Sequence, residues 1–134
     1  MSATKAVRTT TPSAMRNESL PREQRQGDVR FFSGGIGLRQ AIAIKHAMHQ
    51  FPLTLEFRGK ANGKEQFLSG VPVTIRLTAG PVVLKTVSAG PFLLARLRPG
   101  TYEVLAERHG TMQRRDVEVR ANGGERLVFE WNIP

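Results

Sequence analysis

The stretch Gly90–Gly110, GPFLLARLRPGTYEVLAERHG, decides the fold. Two apolar runs, PFLLARL and TYEVLAE, flank the pair Pro99–Gly100. Proline presets φ at the first central position of a tight turn and glycine supplies positive φ at the second, so RPGT predicts a type II turn between two strands. Leu97 before the turn and Tyr102 after it are expected near the core side, with the Tyr hydroxyl bonded to backbone at the strand corner. On this reading Leu97, Pro99, Gly100 and Tyr102 are turn and core residues rather than parts of a ligand loop.

The same two-residue period extends in both directions. In FPLTLEFR, Phe51, Leu53, Leu55 and Phe57 alternate with Thr54, Glu56 and Arg58, the pattern of a half-buried strand, and KANGK supplies the next turn. VPVTIRL repeats the alternation, with Pro72 marking a strand start or an edge. PVVLKTV follows; MQRRDVEV comes after a turn at His109–Gly110, and ERLVFEW brings Leu127, Phe129 and Trp131 to the core. About seven short strands separated every 8–12 residues by turn residues predict an all-β fold, a seven-stranded antiparallel β-sandwich of Greek-key type.

Upstream the period changes. LRQAIAIKHAMHQ places Leu38, Ala41, Ile44 and Met48 at helical spacing, and Pro52 closes the run, so one short helix is expected over about residues 37–50. Lys45 and His49 intrude on its apolar arc. Residues 1–30 are rich in Thr, Ser, Pro, Arg and Gln and read as a flexible basic arm, which leaves 31–134 as a single domain. Phe31 and Phe32 are expected to anchor the arm, Gly34–Gly35 to turn the chain, and Ser33 to cap the helix.

The chain of 134 residues has no cysteine, which excludes disulfides, thiolate nucleophiles and cysteine-based metal sites. No apolar run approaches the ~20 residues that span a bilayer, so the chain is not expected to be transmembrane. The N-terminus lacks the apolar centre of a secretory signal, leaving either a cytoplasmic protein or one whose signal is already removed. Twenty Lys and Arg against eleven Asp and Glu give a net charge of +9, which points to acidic partners. The charge is spread: residues 1–30 carry six basic and three acidic side chains, residues 31–134 fourteen and eight. One Tyr and one Trp, both inside apolar patterns, offer little to stack on bases, which weighs against nucleic acid. The candidate basic face consists of Arg58, Lys60, Lys64, Arg96, Arg98, Arg114, Arg115 and Arg120.

For chemistry, His46 and His49 stand three apart on the expected helix, a spacing at which two imidazoles can share a metal, with Glu56 as a conceivable third ligand. His109 reads as a turn residue. No nucleophile elbow, phosphate loop or dinucleotide fingerprint occurs, so neither a catalytic residue nor a cofactor is expected.

The segment FLSGVPVTIRLTAGPVVLKTVSAGPFLLARLRPGTYEVLAERHGTMQRRDVEV, Phe67–Val119, resembles the carboxypeptidase regulatory-like, or transthyretin-like, β-sandwich domains in its V-x-V-x-I strand, Gly-Pro-Phe strand and L-x-P-G-x-Y-x-V corner. SGGIG at Ser33–Gly37, the short helix and the closing VFEW are similar to small exported proteobacterial proteins that carry this domain alone. The resemblance implies a periplasmic or secreted location and is nearly silent on activity, because its residues are turn and core residues. Hydroxyisourate hydrolases share a transthyretin-like fold but end in Tyr-Arg-Gly-Ser, where this chain ends FEWNIP. The related Cna-B sandwiches form a Lys–Asn isopeptide bond. Here the first strand offers Arg58, leaving Lys85 and Asn132 as conceivable partners, with Glu107 displaced from the family's usual position. The expected function is therefore a non-enzymatic binding module for a protein, a glycan or an anionic envelope component, with homo-oligomers open through its sheet edges. The alternatives are a polyanion-binding protein and an enzyme built around His46 and His49.

Overall fold

The structure, a computed structural model, describes residues 20–133. Among them the chain forms ten strands and one helix: β1 (Gln24–Gln26), β2 (Val29–Gly34), α1 (Leu38–Ala47) continued by a 3-10 turn at Met48–Gln50, β3 (Leu53–Ala61), β4 (Lys64–Phe67), β5 (Pro72–Leu77), β6 (Val82–Val87), β7 (Phe92–Arg96), β8 (Gly100–Arg108), β9 (Thr111–Val119) and β10 (Glu125–Asn132). The first sheet runs β1-β2-β7-β3-β10, with β4 added to β3; the second runs β6-β5-β8-β9.

The alternating pattern places one set of side chains in the core. β3 is nonetheless buried on both faces from Leu53 to Phe57 rather than half-buried, because Thr54 and Glu56 are covered on the outer side as well. Leu53, Leu55 and Phe57 of β3, Leu93 and Ala95 of β7, and Phe129 and Trp131 of β10 meet Val73, Ile75, Leu84, Tyr102, Val104, Ala106, Val117 and Val119 of the second sheet in one core. Asn62–Gly63 and His109–Gly110 turn with positive φ at both residues, the two-residue geometry that suits the twist of a hairpin. Tyr102 is buried and its hydroxyl donates to the Arg98 carbonyl at 2.7 Å, as the sequence predicts. Burial raises this hydroxyl's pKa, partly offset by the charge of Arg98, so it remains a donor at neutral pH. Tyr102→Phe is expected to lower stability by about 1 kcal/mol, the net value of such a bond. Urea unfolding checks this; a variant as stable as the parent would show that the corner does not need the bond.

Several expectations are corrected. There are ten strands rather than seven, because residues assigned to the arm pair as β1 and the start of β2, and because Lys64–Phe67 folds back on β3. The rest of the arm, residues 1–19, lies outside the described residues. The sheets are not wholly antiparallel: β10 runs parallel to β3 from Leu53 opposite Glu125 to Lys60 opposite Asn132. Gly100 has φ 159°, close to extended backbone, and opens β8 opposite Val119, so RPGT is a corner rather than a type II turn. Ser33 does not cap the helix. It lies in β2, where its hydroxyl accepts the Ala89 N–H at 2.7 Å, and Gly37 takes the cap position without a side-chain bond. Beside it the β6–β7 connection touches β2 so closely that a Cβ on Gly90 would lie 2.4 Å from the Gly34 carbonyl, which accounts for glycine there.

Side chains close two of the exposed sheet edges. The Gln26 amide donates to the Lys85 carbonyl at 3.0 Å and accepts the Lys85 N–H at 2.7 Å, standing in for a further strand on β6. Gln113 and Arg115 donate to the β10 carbonyls of Glu130 and Val128. Such bonds occupy backbone groups that an edge strand otherwise offers to another chain.

Candidate docking face beside the helix

Strand geometry sends alternate residues of β3 to the outside of the first sheet, and α1 packs there. Ala43, Ile44 and Ala47 form its buried stripe against Phe51, Phe92 and Leu94. Small residues let the helix sit close to the sheet, and this shifts the buried face away from the one expected. Leu38 is 78% exposed and Ile42 47%, while Ala41 and Met48 are half-buried. Lys45 and His49 point to solvent.

Next to the helix Glu56, only 1% exposed, is the one fully enclosed acid of the outer face. Arg58 Nε donates to its Oε2 at 2.6 Å and Arg126 Nη2 donates to its Oε1. Burial by itself raises the pKa of this carboxyl, but the two hydrogen bonds and the two positive charges outweigh it and hold Glu56 below the usual glutamate range. Arg58 extends the network to Glu65 at 3.5 Å. With Glu65, Gln66 and Phe67 it lines a cleft of about 240 Å³. Phe67 is 55% exposed; its ring rests on Phe92 at 5.9 Å between centroids, and the Lys45 ammonium lies 6.0 Å from its centroid.

The eight cations expected to share a face do not come together. Arg58 belongs to the Glu56 network. Arg114 joins Arg76 on Glu103 on the outside of the second sheet, at 2.9 and 2.6 Å. Arg98 lies 3.8 Å from Asp28, and Arg120 lies 3.4 Å from Glu118. Arg96 stacks over Phe51 at 4.3 Å and Arg115 over Phe129 at 5.2 Å. Lys60 and Lys64 are exposed near the β3–β4 turn.

His46 and His49 are exposed on α1 and the turn after it, and Glu56 has both oxygens engaged by arginines. No group of three or more His, Cys, Asp or Glu among the described residues is placed to hold a metal. His109 occupies a hairpin turn, as expected. Lys85 and Asn132 are both exposed, so neither is desolvated as an isopeptide nucleophile or acceptor requires. Among the described residues no helix is long and apolar enough to cross a membrane.

Sequence reasoning missed the partner of Glu56, because Arg126 stands 70 residues away, and it assigned Leu38 to the core. A signal for Glu56 was present: an acid in a strongly apolar strand needs cations if its position is buried. No protein-family model matches the sequence, and no curated protein matches it.

Proposed function

We propose that the chain is a non-enzymatic binding module of the carboxypeptidase regulatory-like, transthyretin-like kind, acting in the periplasm or outside the cell. It recognises a protein, a glycan or an envelope component through the face beside α1. The observation that carries this reading is the exposure of Ile36, Leu38 and Ile42 at the start and along the outer side of α1, with exposed Phe67 reached by Lys45 of the same helix. Scattered exposed apolar residues need no explanation, but a group of them bordering one helix marks an interaction surface. The Arg58 cleft is smaller than the ~300–1,000 Å³ of small-molecule sites, which favours surface recognition over an enclosed substrate.

A photocrosslinking residue at position 42, compared with one at position 87 on the outside of the second sheet, tests this in the protein's native cells. Val87, 59% exposed against 47% for Ile42, lies in the other sheet. A discrete adduct at position 42 and none at position 87 is the expected result. Equal, diffuse labelling at both positions would overturn the reading. The alternative, polyanion binding through the eight dispersed cations, is less well supported. Four of the eight are paired to carboxylates of the same chain and two are stacked on rings.

A further inference from the structure

We infer that the face beside α1 docks on an anionic lipid bilayer; this rests on the reading of that face as the binding surface. The apolar elements project. Gly35 and Gly37, with φ of 105° and 89°, flank Ile36 and hold it outward at 66% exposure. Leu38, Ile42 and Lys45 follow at i, i+4 and i+7 on one face of the helix, opposite the stripe that packs on the sheet. The fold does not use Leu38 or Ile42 for packing, since the helix-covered cluster consists of other residues.

The charge along the helical span has one sign. Between Asp28 and Glu56 the sequence has no acidic residue, and this span includes Arg39 and Lys45 together with His46 and His49. On the neighbouring strands Glu56 is engaged by Arg58 and Arg126 and Glu65 by Arg58, while Glu130 stands opposite Arg58 in β10. The chain enters the domain at the same place. Leu20 packs on the cluster of Ile44, Ala47 and Phe51.

Projecting apolar side chains with cations on the same helix are what an anionic bilayer binds. Each signal is weak alone, and the two together give reversible attachment. A protein partner of standard interface size needs about 800 Å² on each side with paired polar groups, more than this small apolar group provides.

The test is co-sedimentation of the full chain with vesicles of phosphatidylcholine alone and of phosphatidylcholine with phosphatidylglycerol. Binding is expected to the anionic vesicles only and to weaken as salt is raised. The double variant Leu38→Ser/Ile42→Ser is expected to lose binding at least tenfold, and Lys45→Gln to lose about fivefold, the effect of one cation near such a surface. The control Val82→Ser/Val87→Ser, which removes exposed apolar groups from the second sheet, is expected to bind like the parent. An unchanged melting temperature verifies that the variants are folded. Absence of binding to anionic vesicles, or binding that the helix variant leaves intact, overturns the inference. If vesicles fail while position 42 still crosslinks to a protein or glycan, the lipid assignment falls and the docking face stands. If both fail, both fall.

Discussion

Phe129→Ala is expected to be the most damaging single truncation considered, lowering stability by about 3–5 kcal/mol. Phe129 is fully enclosed, 5.9 Å from Phe57 and 6.2 Å from Trp131 between ring centroids, with the Arg115 guanidinium over its face. Removing the ring loses its burial and leaves a void that the parallel β3–β10 pair cannot collapse into, because both strands are fixed by hydrogen bonds along their length. The melting temperature is expected to fall by on the order of 15 °C. Urea unfolding with an unchanged slope checks the energy. Phe129→Leu, which refills most of the space, is expected to recover more than half of the loss. A loss below about 1 kcal/mol for the alanine variant would show that β10 is not part of the cooperative core.

The second large effect is expected at Glu56. Glu56→Gln keeps the shape but replaces one acceptor oxygen by an amide N–H₂ group, which then faces a guanidinium donor. Removing one member of a fully buried ion pair costs about 3–5 kcal/mol. Here Arg58 and Arg126 retain 27% and 48% exposure and can turn back to water, so about 2 kcal/mol is expected. The pH dependence carries a defined sign. The folded protein holds this carboxyl below its ordinary value, so its stabilising effect is fully present above the unfolded glutamate value of about 4.3 and is lost as pH falls through the folded value. The gap between parent and variant is therefore expected to be full at neutral pH and to close in acid. A gap that stays constant down to about pH 2 would show that the charge on Glu56 contributes nothing and that only packing was changed.

Several elements were legible because their causes are local. The alternation in FPLTLEFR and VPVTIRL depends only on the two-residue repeat of a strand, and both became β-strands with Leu53, Leu55, Phe57, Val73 and Ile75 inside. The turn at Asn62–Gly63, the turn at His109–Gly110 and the Tyr102 corner depend on a few neighbouring residues. Strand number and direction were not local. KEQF, Lys64–Phe67, has too little apolar character to announce a strand and exists because β3 offers an edge beyond the end of β7. The parallel pairing of β10 with β3 joins segments at opposite ends of the domain, and nothing in either sequence specifies direction.

The docking face divides in the same way. Helical spacing and composition alone show that a short helix lies between Gly37 and Phe51, that Lys45, His46 and His49 stand there without a single acid, and that the chain is strongly basic. Which side of that helix is covered depends on the sheet it packs against. Ala43, Ile44 and Ala47 are small or compact enough to approach Phe92 and Leu94, and this closest packing wins over the wider stripe that would have buried Leu38. The same packing leaves Leu38 and Ile42 facing out, and the tertiary fold brings Arg58 and Arg126 together on the enclosed Glu56. Helical periodicity limits which residues can share a face; the sheet it meets chooses among the faces.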